Sequence, residues 1–179
     1  DILMNSWKDA FKKFDKATLT IKDNPKIYGQ SNVLNEIIKM QYKTGCSDVQ
    51  YIDDDLSDKE MAALFKSSDI LVHPYRAEGF GMHVQDAMAC GCVPVVSADG
   101  ATDDFVSHEN GFLLPVERKT INITDSNVFA MKPGDAMTGM STHTFYNEPD
   151  VNALKNGIKM IYHSHNKKEE ILNYLDFSF

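Results

Sequence analysis

Glu78-Gly79-Phe80-Gly81-Met82-His83-Val84-Gln85-Asp86-Ala87-Met88-Ala89-Cys90-Gly91 is the stretch that decides the fold of this chain. Just before it, Asp69-Ile70-Leu71-Val72-His73 is a short β-branched run stopped by Pro74, which predicts a strand. Residues 81–90 predict a helix ended by Gly91. Cys92-Val93-Pro94-Val95-Val96 then predicts a second strand. Strand, glycine-bearing loop, helix and strand in that order make a parallel β–α–β unit. Ligands of open parallel sheets bind beyond the carboxyl ends of the strands, and the loop at 78–81 falls there.

The same alternation continues outward. Leu3, Trp7, Ala10, Phe11 and Phe14 recur at helical spacing, predicting a helix over 2–14. Ala17–Ile21 predicts a strand, and Asn24-Pro25 breaks the chain. Leu34, Ile37, Ile38 and Tyr42 mark a helix ending near Gly45, followed by a strand at Val49–Ile52. Ser57-Asp58-Lys59-Glu60 is a capping box opening a helix with Met61, Leu64 and Phe65 on one face. Gly111–Leu114 predicts a fifth strand. Residues 117–147, rich in Ser, Thr and Asn with Pro133, Gly134 and Gly139, read as a long irregular insertion. Val151, Leu154, Ile158 and Ile161 restore a helix with Pro149 near its first turn, and Ile171, Leu172 and Leu175 predict another. The fold class is α/β: a Rossmann-like open parallel sheet flanked by helices.

Composition narrows the function. The 179 residues carry 18 Lys+Arg against 26 Asp+Glu, a net charge of −8, which argues against nucleic-acid binding. The 42% hydrophobic share is ordinary for a globular chain and supports a sizeable core. The three cysteines, Cys46, Cys90 and Cys92, are too few and too odd for a disulfide framework and read as small buried hydrophobes. No apolar run approaches the ~20 residues of a membrane span, and no signal peptide opens the chain. Residue 1 is Asp, so a piece of a longer, cytoplasmic protein is expected.

Chemistry concentrates in the quoted stretch. Gly79 and Gly81 let the backbone approach a ligand closely, and the helix start offers unpaired N–H groups and partial positive charge to a diphosphate. Glu78 and Asp86, separated by seven residues, place one carboxylate before the helix and one inside it. Carboxylates suit sugar hydroxyls, since charge-assisted hydrogen bonds contribute roughly 1.5–3 kcal/mol each. The pair reads as a nucleotide-sugar clamp. Dipole-complementing acids at a helix start are the simpler alternative.

These residues resemble the C-terminal, donor-binding half of a GT-B glycosyltransferase of the family 4 type (glycosyltransferases group 1). The family's two acids match at Glu78 and Asp86, the second being Asp where the family usually has Glu. Ser57–Phe65, Ile70–Pro74, Ala87–Gly91 and Pro94–Val96 match as well, and the resemblance covers about residues 1–116, with a weaker likeness over 145–172. It implies that Glu78 is catalytic and contacts the donor sugar. The backbone of Gly79, Phe80, Gly81 and Met82 would face the diphosphate, and Asp86 would hold the ribose. It further implies transfer with retention of configuration from a nucleotide-diphosphate sugar, of hexosyltransferase type, in polysaccharide or glycoconjugate synthesis, with no metal or other cofactor. Residues 1–179 would be the nucleotide-sugar-binding domain. The family's first strand, its Arg/Lys pair and its N-terminal acceptor domain are missing, so the piece alone is expected to be inactive, and the missing domain would meet the sugar, lipid-linked or glycan acceptor and supply any peripheral membrane contact.

Other readings have specific signatures. A non-catalytic nucleotide-sugar-binding module acting with a partner chain would keep the same pocket. A nicotinamide-dependent fold would need a third glycine where Val84 stands. Asp53-Asp54-Asp55 resembles the Asp-x-Asp metal motif of the other large glycosyltransferase fold, but its place before the capping box suits a solvated turn. His73 and His83 lie near the pocket, His73 as a strand-end side chain and His83 in the first helical turn; Gly100–Asp103 follows the fourth strand as a candidate ligand loop.

Overall fold

The computed structural model describes residues 2–25, 33–122 and 143–164. In chain order the elements are α1 (Ile2–Ala10), β1 (Thr18–Lys22), α2 (Val33–Thr44), β2 (Asp48–Ile52), α3 (Asp58–Lys66), β3 (Ile70–His73), α4 (Met82–Ala89), β4 (Val93–Ser97), a 3₁₀ turn (Ala101–Asp104), β5 (Phe112–Leu114), β6 (Val116–Asn122), β7 (His143–Pro149) and α5 (Val151–Ser164). The expected α/β alternation is present, with all five expected strands in parallel pairs. They form two sheets: β1 pairs with β2, and β3, β4 and β5 pair in that order. Among the described residues no strand pairs with the second edge of β1 or of β3.

Strand pleating sends alternate side chains to opposite faces, and here it divides the interior into two cores. Ile70, Val72, Val95, Phe112 and Leu114 face a larger core with Leu19, Val49, Trp7, Phe11, Ile37, Met40, Leu154 and Ile158. Leu71, Val96 and Leu113 face a smaller core with Tyr75, Val84, Met88 and Val106, beneath α4. Helices therefore cover both faces, as the near-continuous apolar runs of β3 and β4 require. Gly157, inside α5, lies against the Phe112 ring, where a Cβ would come within 2.9 Å. Cys46 and Cys92 are buried and Cys90 half-buried. The Cys92 thiol points at the Phe65 carbonyl, 3.0 Å away, and burial, with Cys90 and Asp69 adding to it, pushes its pKa up to about 11. It is inert packing, as read from the sequence.

Three expectations need correction. The first helix stops at Ala10 rather than 14, and Phe14 is 93% exposed. Asp15 captures the Lys12 amide at 2.7 Å and Lys13 N–H donates to the Gly45 carbonyl, so the backbone leaves the helical path. The insertion near 117–147 is not irregular at its ends: β6 and β7 pair antiparallel from Val116↔Pro149 to Asn122↔His143. Pro149 ends β7, and it is Asp150 that caps α5, its Oδ1 accepting from the Asn152 and Ala153 amides at 2.7 and 2.9 Å. The helix expected around 171–175 and the residues 123–142 lie outside the described residues. Among the described residues no helix is long and apolar enough to cross a membrane.

Candidate donor site at the end of β3

β3 delivers the site. His73 shares the pleat parity of Leu71, so it emerges on the face that α4 covers. After a turn at 74–77 the chain reaches Glu78, Gly79 and Phe80, and α4 starts with Gly81 as its N-cap. Gly81 has φ 87° and ψ 40°, the left-handed region that L side chains rarely adopt. A Cβ there would also sit 2.9 Å from Thr102 Cγ2. Glycine is needed twice over, for its φ and for close packing against the 3₁₀ turn.

Both oxygens of Glu78 are engaged. Oε1 accepts from the Gly79 amide at 2.8 Å and the Phe80 amide at 3.3 Å, and Oε2 accepts from His73 Nε2 at 3.1 Å. Burial raises the Glu78 carboxyl, but the hydrogen bonds from His73, Phe80 and Gly79 outweigh it and hold the group below its ordinary range. His73 is shifted down chiefly by burial, further by His83, against the opposing pull of Glu78. At neutral pH His73 is therefore an uncharged imidazole donating from Nε2, and the contact is a hydrogen bond rather than an ion pair. The His73 and His83 rings meet edge-on, with centroids 4.2 Å apart.

Around this centre, Phe80 and Met82 stand 47% and 70% exposed at the mouth of the loop. Among the described residues the Gly81, Met82 and His83 amides donate to no backbone carbonyl or side chain, whereas Phe80 N–H is taken by Glu78. A helix start with free amides attracts an anion. Asp86 is exposed on α4 one turn beyond His83, and its carboxylate has no hydrogen-bond or ion-pair partner among the described residues. The structure thus joins Glu78 with both histidines and leaves Asp86 on the open side of the helix.

Support for the loop comes from residues that local spacing did not single out. Tyr75 is buried, and its hydroxyl donates to the Ser97 carbonyl at 3.0 Å and lies 2.8 Å from Thr102 Oγ1. Ser97 Oγ donates back to the Tyr75 carbonyl at 2.6 Å. The candidate loop at Gly100–Asp103 is anchored by this network, with Gly100 pressed against the Tyr75 ring. β7 adds a brace: Arg76 grips Glu148 through Nε at 2.7 Å and a second nitrogen at 2.8 Å, and Asn147 donates to the Arg76 and Asp99 carbonyls at 3.0 and 2.7 Å. A separate cleft of about 350 Å³ at the carboxyl ends of β1 and β2 is lined by Lys22, Asp23, Asn24, Asp55, Leu56 and Met61.

A Rossmann-like α/β chain with this acid-bearing loop matches the family described as Glycosyl transferases group 1 over residues 5–123, well over half of its length. The chain belongs to that family. It is 37% identical over 68 residues to an MMP alpha-(1->4)-mannosyltransferase of Mycolicibacterium hassiacum, a match covering 38% of this chain and 16% of that protein. It also resembles the crystal structure of Anabaena Alr3699/HepE in complex with UDP and glucose, with TM-score 0.58 and 17% identity over 93% of this chain and 35% of that one. A second structure of the same protein, with UDP-glucose, gives TM-score 0.51 and 23% identity over 64% of this group 1 chain and 30% of that one. The fold is that of a GT-B glycosyltransferase structure. This chain spans about a third of the length of the solved structures it matches.

Proposed function

We propose that this chain is the C-terminal, donor-binding part of a retaining, metal-independent glycosyltransferase of the family 4 type, in which Glu78 meets the donor sugar. The observation that carries the reading is the Glu78–His73 hydrogen bond beside the free amides at the start of α4. A carboxylate kept ionised next to unpaired N–H groups suits a sugar attached to a diphosphate. The Gly81 and Met82 amides, with the backbone of Gly79 and Phe80, take the diphosphate, and Phe80 N–H becomes available once Glu78 turns to the sugar. Asp86 accepts from the ribose hydroxyls on the open side of α4. As the nucleotide leaves, charge grows on its phosphates, and amides already fixed by the helix stabilise that charge without reorganising.

The matched mannosyltransferase and the UDP-glucose complex of Alr3699/HepE support a nucleotide-diphosphate hexose as donor. The acceptor is a sugar, a lipid-linked sugar or a glycan, met by an N-terminal domain, in polysaccharide or glycoconjugate synthesis in the cytoplasm. The 179 residues alone bind the donor without transferring it. Calorimetry against UDP, GDP and ADP sugars tests this, repeated with Glu78→Ala and Asp86→Ala. Each loss of a charged hydrogen bond is expected to weaken binding by about 1.5–3 kcal/mol. Equal affinity in the parent and both variants defeats the assignment.

A further inference from the structure

Among the described residues one group of side chains converges as metal ligands would: His73, Glu78 and His83, whose ligating atoms all lie within 4.8 Å of one another. They arrive independently, from the last residue of β3, from the loop and from the first turn of α4. His73 Nε2 and Glu78 Oε2 are already 3.1 Å apart. Zinc holds imidazole nitrogen and carboxylate oxygen at about 2.0–2.2 Å, which puts neighbouring ligands of one ion roughly 3 Å apart. Two imidazoles and one carboxylate suit zinc and its first-row neighbours, whereas magnesium and calcium prefer oxygen ligands. All three side chains are half-buried, so an ion can enter while water fills its remaining positions. On binding, the ion takes the place of the proton shared by His73 and Glu78, that proton moves to Nδ1 of His73, and His83 closes in from within 4.8 Å. Asp53–Asp55 offers no comparable group among the described residues.

We propose that His73, Glu78 and His83 form a binding site for a divalent transition metal such as Zn²⁺, and that the ion and the nucleotide-sugar donor exclude one another there. The metal site stands on geometry alone. Exclusion rests on the proposed function, because the ion takes the carboxylate assigned to the donor sugar. The ion is then an inhibitor of the site and plays no part in transfer.

The test begins with Co²⁺ titrated into the intact protein and followed by visible absorption, and with Zn²⁺ competed against a chromophoric chelator. One ion per chain is expected, bound at least about tenfold more weakly by His73→Ala and by His83→Gln, since even the loss of a partner behind a ligand costs about 10–100-fold. Circular dichroism checks that the variants fold, and the half-buried His83→Gln serves if His73→Ala does not. No bound ion, or unchanged affinity in a folded variant, overturns the metal site. In the second arm UDP-glucose is titrated with and without saturating Zn²⁺. Weakening in the parent that disappears in His83→Gln supports exclusion, and equal or tighter donor binding with zinc overturns it. A metal-free parent that binds no nucleotide sugar overturns the donor reading, and exclusion with it, while the metal site stands.

Discussion

The Tyr75 hydroxyl joins three segments under the candidate site, reaching the Ser97 carbonyl and Thr102 Oγ1 from a buried position. Tyr75→Phe keeps the ring and removes only that oxygen, leaving buried partners unsatisfied. It is expected to cost about 1–3 kcal/mol of stability, read by urea unfolding. A loss below about 0.5 kcal/mol, within ordinary surface-substitution scatter, would show that the hydroxyl is not a tether. At this scale the sequence was most legible where chemistry is local. Glu78, Gly81 and the Ser57–Glu60 capping box all declare themselves through neighbours a few residues away. The Tyr75 network joins residues 22 and 27 positions apart, and no short-range pattern encodes such a pairing. The meeting of His73 with His83 was half legible: strand parity sets the face of His73, but only the packing of α4 brings the second ring to it.

β6 and β7 illustrate how an element can hide. Their residues are polar on both sides and carry no strict hydrophobic alternation, so composition read them as loop. Strand formation there depends on a partner, and β-propensity is weak without one. What β7 contributes is a brace, because Glu148 and Asn147 hold the loops that precede Glu78 and follow β4. The Arg76 guanidinium, through its hydrogen bonds and then its charge, holds the Glu148 carboxyl below the ordinary 4.5. A carboxyl depressed in the folded state contributes stability above its unfolded pKa and loses it as pH falls through the folded value. The melting temperature is therefore expected to drop below about pH 4.5, and Glu148→Gln should flatten that drop. Superimposable pH profiles for the two proteins would show that the brace carries no stability.

At the scale of the molecule, the two cores are coupled because β4 supplies both, Val95 to one and Val96 to the other. Leu154, fully buried in the larger core, is expected to cost about 2–5 kcal/mol as Leu154→Ala. Trp7, the single tryptophan, sits in that core, while α4 covers the other. Fluorescence and far-ultraviolet dichroism should therefore report one coincident transition in parent and variant; separate midpoints would mean the cores unfold independently. The α/β class and all five parallel strands were legible, since apolar run length and punctuation carry that information. The division into two sheets was not, because strand order is written in contacts between distant segments. Strand parity has one more consequence. Removing a single codon from the stretch encoding 70–72 would turn the imidazole that meets Glu78 toward the tryptophan side, although every remaining amino acid is unchanged. In a deletion library this short run should prove far less forgiving than in a substitution library, because position there is counted in odd and even steps.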